Sequence, residues 1–305
     1  MNYRLLAYGA VAMLVMLAFP DGLIGAFERW RQRHNISHER LDIRVEGLLG
    51  EAAVARAALR GTGEVLIDVR NASKTFGSVA ALDGIELQVK RHHIHGLVGA
   101  NGSGKTSLLN ILSGFSRLSA GQVSLRGVDI TRQSAHCIAR LGVGRTFQKP
   151  RIFGAMSLWE NVLIGLDAAP AIGRGGLAGS GPPPVSVAAL RATMEERSVE
   201  RVPHGQRRLV EVTRVALMGA DILLLDEPAA GLSPAEREQF KTLLLRMRDE
   251  LGKTIVLVEH DLDLVWGIAD TITVLEAGRI VAHGSTQEIA GNPSVRKLFI
   301  EPTHA

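Results

Sequence analysis

Gly99, Ala100, Asn101, Gly102, Ser103, Gly104, Lys105 and Thr106 form an uninterrupted G-x-x-x-x-G-K-[ST] string, and residues of these types at this spacing can cradle a polyphosphate. The glycines lack a Cβ, so the chain can curl and aim successive N–H groups at phosphate oxygens. Lys105 would reach the β- and γ-phosphates, and Thr106 would hold Mg²⁺ through its hydroxyl. A second pair of candidates, Asp226 and Glu227, ends the apolar run 222–225. Two adjacent acids at one strand end suit two tasks: Asp226 as an Mg²⁺ ligand and Glu227 as the base that orients and deprotonates an attacking water. Taken alone, such a string is equally an ordinary strand ending in a polar turn; the phosphate-binding loop upstream favours the catalytic reading.

These groups need rigid elements behind them. Residues 94–98 read as a buried strand leading into the loop, with a helix beginning near Lys105. From Val65 onward short apolar strands alternate with helical stretches, the pattern of an α/β domain built on parallel strands. A hydrophobic content of 46% over 305 residues allows a sizeable core. The net charge of +4 is spread along the chain and aromatic residues make up 4%, so neither a basic block nor a stacking surface speaks for nucleic-acid binding. The single cysteine, Cys137, excludes an internal disulfide framework and suits a reducing compartment.

Ahead of this domain, residues 5–19 are free of charge and apolar character resumes over 23–27 after Pro20-Asp21-Gly22. Fifteen helical residues would span about 22 Å, short of a hydrocarbon core of roughly 30 Å, whereas 5–27 would suffice. A signal peptide and a buried helix are the alternatives to a membrane span over 1–27. The five arginines Arg29, Arg31, Arg33, Arg40 and Arg44 follow the segment and only Arg4 precedes it, which places the downstream side in the cytoplasm. Residues 28–64 then read as a linker.

With the loop and the two acids in place, residues 65–305 resemble the ATP-binding subunit of an ABC transporter, a P-loop NTPase. The resemblance implies a mainly parallel core sheet, an antiparallel β subdomain and a helical subdomain near 150–215. It also implies ATP and Mg²⁺ as ligands. Phe76 matches the aromatic position that stacks on adenine, although the ring alone equally suits a core site at a turn. Gln148, in GRTFQ, matches the glutamine that senses Mg²⁺ and the lytic water, and His260, in LVEHD, the histidine that contacts the γ-phosphate. Gly205 and Gln206 fit the family signature whose helix meets nucleotide bound by a second ATPase subunit. Pro203 departs from that signature, and Ser233 stands where many members carry aspartate. The glycine- and proline-rich stretch at 168–186 shortens the helical subdomain, leaving only 158–166 and 187–197 for helix.

GRTFQ, DEPAAGLSP and VEHDLDLV are similar to the branched-chain amino acid branch of ABC importers, and MLVMLAFPDGLIGAF resembles the last membrane helix of that system's permease. The implied partners are a second ATPase subunit, permease subunits and, indirectly, a solute-binding protein, at the inner membrane with the ATPase on its cytoplasmic side. Competing readings are a catalytically impaired nucleotide-binding subunit, a fragment of a permease-ATPase fusion, and an ABC ATPase unrelated to transport. His92, His93 and His95 have no carboxylate or cysteine cluster beside them and read as solvated strand-edge residues rather than a metal site.

Overall fold

A computed structural model describes residues 63–172, 199, 202, 204–260, 262–293 and 295. Its centre is a six-stranded sheet in the order β10-β9-β3-β8-β7-β6, formed by β3 (Ile94–Gly99), β6 (Val143–Arg145), β7 (Ile222–Asp226), β8 (Thr254–Val258), β9 (Thr271–Glu276) and β10 (Arg279–Ser285). All neighbours run parallel except β9 and β10, which pair antiparallel. Strands β3, β7 and β8 are buried at every residue, because a parallel sheet is covered on both faces. Since β8 lies between β3 and β7, their carboxyl ends bring Gly99, Asp226 and the chain after Val258 side by side. Open α/β sheets place ligands at this edge.

A second, wholly antiparallel sheet has the order β2-β1-β4-β5, built from β1 (Val65–Phe76), β2 (Val79–Lys90), β4 (Ala120–Leu125) and β5 (Val128–Asp129). The described residues thus open with a long hairpin, not with the strand-helix alternation read from Val65 onward; that alternation begins only at β3. Ile85, Leu87 and Val89 of β2 are buried in period two and, with Leu82, join the core of Leu97, Leu108 and Leu224. Burial of each such side chain is worth about 1.5–3 kcal/mol.

Seven helices are described: α1 (Lys105–Leu112), α2 (Ala135–Arg140), α3 (Leu158–Ile172), α4 (His204–Leu217), α5 (Pro234–Asp249), α6 (Leu262–Ile268) and α7 (Thr286–Gly291). Helix α5 shows how the sequence sets its limits. Ser233 accepts from Glu236 N and Glu236 accepts from Ser233 N, a capping box with Pro234 next to the cap. Phe240, Leu243, Leu244 and Met247 then recur on its buried face. Ser233 therefore has a structural task of its own at the position where the resemblance expects aspartate.

Two expectations need correction. Helix α3 continues to Ile172 instead of stopping near residue 166, since Ala168 and Ala169 favour helix and a proline so near the end removes few of its bonds. His95 is not a solvated edge residue: it is fully buried in β3, with its ring nitrogens 2.8 Å from Thr271 Oγ1 and 2.9 Å from Thr273 Oγ1. Thr273 in turn meets His283 Nδ1 at 2.8 Å. Burial, with His283 and His93 nearby, holds the His95 pKa down at about 3, so the ring is neutral. The segments 5–27, 28–62 and 187–197 lie outside the described residues, among which no helix is long and apolar enough to cross a membrane.

Candidate functional site

Strand β3 ends at Gly99, and the loop that follows is held by backbone conformations that side chains resist. Gly99, Gly102 and Gly104 have φ of 151°, 78° and 107°. A Cβ on Gly99 would stand 2.1 Å from Leu275 O, and one on Gly104 2.5 Å from Ala81 O. Glycine is required at both by space as well as by torsion. The Ser103 carbonyl accepts from Gly278 N at 3.0 Å, tying the loop to the β9-β10 turn. Lys105, the first residue of α1, turns its ammonium back onto the loop, donating to Gly99 O at 2.7 Å and Ala100 O at 2.8 Å. Burial pushes its pKa down, against the pull of Glu227 and Asp226. Thr106 is exposed beside it.

Across a cleft of about 190 Å³ lie Gln148 and Glu227; Asn101, Gly102, Ser103, Gly104, Lys105 and Thr106 line its other side. Asp226 is the last residue of β7 and is 2% exposed. Its Oδ2 is 3.4 Å from Arg145 Nη2, while Oδ1 is buried without a hydrogen-bond partner among the described residues. Burial raises the Asp226 pKa, the Arg145 charge opposes the rise, and Glu227 adds to it. Glu227 leaves the strand at φ 47°, a torsion costing about 1–2 kcal/mol for a residue with a Cβ. That turn carries its carboxylate to His260, whose Nε2 stands 2.7 Å from Glu227 Oε1. A carboxylate only accepts, so the imidazole carries its proton on Nε2.

An oxygen-only set of Asp226, Thr106 and Gln148 matches Mg²⁺, a hard cation that takes one or two carboxylates and relies on phosphate and water for the rest. The orphaned, buried Oδ1 of Asp226 is the direct sign of fit. No cluster of three His, Cys, Asp or Glu competes for a metal among the described residues.

The remaining sequence candidates sit around this core. Phe76 ends β1, 53% exposed as a residue and with Lys74 Nζ 4.7 Å from its ring centroid, so it is not a core phenylalanine. Gly205 and Gln206, in the first turn of α4, are buried and do not line the cleft. A Cβ on Gly205 would meet Glu236 Oε1 at 2.6 Å, so its size fits α4 against the start of α5.

Sequence reasoning missed Arg145, Arg208 and Glu211. Arg145 donates to Asn110 Oδ1 and Ser113 Oγ, both at 2.7 Å, as well as facing Asp226. The readable signal was an arginine closing a short strand whose other residues are buried, where a charge needs a partner. For Arg208 and Glu211 it was a charged pair at i,i+3 set among the apolar Leu209, Val210 and Val212.

Comparison with known proteins agrees with this geometry. The family model described as ABC transporter matches residues 82–230, which include the loop, the two acids and Gly205. The branched-chain amino acid transport ATP-binding protein BraF of Pseudomonas aeruginosa is 34% identical over 250 residues, 77% of this chain and 97% of that protein. The chain belongs to the ABC transporter family. LivG of Escherichia coli K12, of the same description, is 32% identical over 257 residues, again covering 77% and 97%. Among solved structures, the ADP conformation of the ATP-binding cassette MJ1267 is 26% identical with a TM-score of 0.66, covering 78% of this chain and all of that one. The protein therefore carries an ABC ATPase domain, a type of domain that binds ATP or ADP with Mg²⁺.

Proposed function

We propose that this chain is the ATP-hydrolysing subunit that energises an importer of branched-chain amino acids or related small solutes. The observation that carries the catalytic part is Glu227, which faces the Lys105 loop across one cleft while His260 Nε2 holds its carboxylate at 2.7 Å. The solute class rests on the likeness to BraF and LivG, because an ATPase subunit touches nucleotide and permease rather than solute. Working partners in this reading are a second ATPase subunit, whose nucleotide meets the head of α4 at Gly205 and Gln206, and permease subunits. The apolar run 5–27 and the arginines after it support an inner-membrane location with the ATPase on the cytoplasmic side.

Each residue has a task that follows from its place. Phe76 offers an exposed face to adenine. The loop amides and the positive end of α1 hold the phosphates, with the Lys105 ammonium beside them. Asp226, Thr106 and Gln148 would hold Mg²⁺, which would supply positive charge to offset that of the phosphates. Glu227 orients a water in line with the γ-phosphate and takes up its proton on the carboxylate. His260 fixes that carboxylate through Nε2.

The test is direct. Full-length protein turns over Mg-ATP, and Glu227→Gln retains nucleotide while turnover falls by at least about 100-fold. Equal turnover in the variant would sink the assignment of Glu227 as base.

A further inference from the structure

Arg208 is the bulkiest of the fully buried side chains among the described residues, and it sits in the second turn of α4. Its Nη1 donates to Phe147 O at 2.5 Å and to Glu211 Oε2 at 2.9 Å. Its Nη2 donates to the Gln148 carbonyl and, at 3.5 Å, reaches Glu227 O. Glu211 uses its other oxygen, Oε1, to accept from Arg151 N at 2.9 Å. One guanidinium-carboxylate pair on a single turn of α4 thus grips the main chain on both sides of Gln148 and extends to the carbonyl of Glu227.

Stability does not account for such a pair. Removing two charges from water is so costly that apolar replacements of similar volume often serve a fold as well or better. What the pair supplies is direction: a planar fork aims two donors at two carbonyls in a fixed relation, which an apolar contact or a lysine cannot do. The helix that carries it begins at His204, so the same rigid body bears Gly205 and Gln206 at its head and this clamp about one turn further on.

We propose that Arg208 and Glu211 are positioning residues that lock the Gln148 loop and the Glu227 carbonyl to helix α4. A shift at the head of α4 then moves Gln148 and Glu227 together. The clamp makes the two groups on the catalytic side of the cleft a single unit with the signature helix. The proposal rests on the roles given to Gln148 and Glu227 above.

The double variant Arg208→Met with Glu211→Leu keeps the volume and removes the fork. In the full-length protein kcat is expected to fall about 100-fold, what a misplacement of about 1 Å costs, with KM for ATP within about threefold of the parent. Amide hydrogen exchange should rise about tenfold or more at residues 147–151 and stay unchanged over the loop 99–106. A kcat within about twofold of the parent overturns the proposal, as does exchange that rises equally in both segments, the mark of a merely structural pair. Should the double variant fail to fold, Arg208→Lys decides: a drop of about tenfold in kcat at unchanged Tm supports the clamp, and unchanged kcat overturns it. If the parent itself shows no turnover, the proposed function fails, and the exchange pattern alone then supports or overturns the clamp.

Discussion

His260 Nε2 lies 2.7 Å from Glu227 Oε1, although the two residues come from the ends of different strands, β8 and β7. The contact exists because β7 and β8 are parallel neighbours in register, Asp226 opposite Val258, so the next residues emerge at the same sheet edge. Glu227 N also donates to Val258 O at 2.9 Å, which extends the pairing one residue past the strand and turns the carboxylate toward the imidazole.

His260→Ala removes the donor that orients Glu227 but leaves the base itself. Turnover of Mg-ATP should drop about 100-fold with little change in nucleotide affinity, measured by steady-state kinetics beside equilibrium binding. A parallel loss of affinity would mean that His260 holds nucleotide rather than the carboxylate.

Arg145 answers a buried charge. Its side chain is 6% exposed and that of Asp226 2%. Arg145→Met leaves Asp226 buried without its cation and deprives Asn110 and Ser113 of a donor, a loss of about 3 kcal/mol in denaturant unfolding. Adding Asp226→Asn should recover about 1–3 kcal/mol of that loss; strict additivity of the two changes would show that the pair is not coupled.

The loop glycines are unequal. A Cβ on Gly102 meets nothing within 4 Å, so Gly102→Ala should cost only the strain of φ 78°, about 1 kcal/mol. At Gly104 a Cβ lies 2.5 Å from Ala81 O and 2.8 Å from Leu82 Cδ2, so Gly104→Ala should cost at least about 2–3 kcal/mol. Matched urea titrations of the two variants give the comparison, and equal losses would contradict the contact.

His95 sets an acid limit. Its folded pKa is held at about 3 while the unfolded ring keeps an ordinary value near 6.5. Between those values the unfolded chain binds the extra proton, so stability is full above about pH 6.5 and declines as pH falls, by up to about 1.4 kcal/mol per unit. His283 and His93, also pushed down by burial, act in the same direction. Unfolding free energies at pH 7 and 5 should show a smaller difference in His95→Gln than in the parent.

The local chemistry of this protein was legible in its residues. The phosphate loop, the strand 94–98 that feeds it, the apolar run into Asp226 and Glu227 and the run before His260 all depend on short-range pattern: glycine where φ is positive, continuous hydrophobicity where both sheet faces are covered. Three things depended on long-range packing instead. His95 looked like an edge residue because its strand could not be placed in the sheet; only its position between β8 and β9 buries it against Thr271 and Thr273. Arg145 and Arg208 carry charges whose partners lie far along the chain, at Asp226 for the first and at Phe147 and Gln148 for the second. Gly205 fits a signature by type, but its need for a missing Cβ comes from Glu236 on another helix. Sequence determined which groups could do the chemistry, since type and spacing act within one element. The fold decided which groups meet, since parallel strands set side by side gather residues that no local pattern connects.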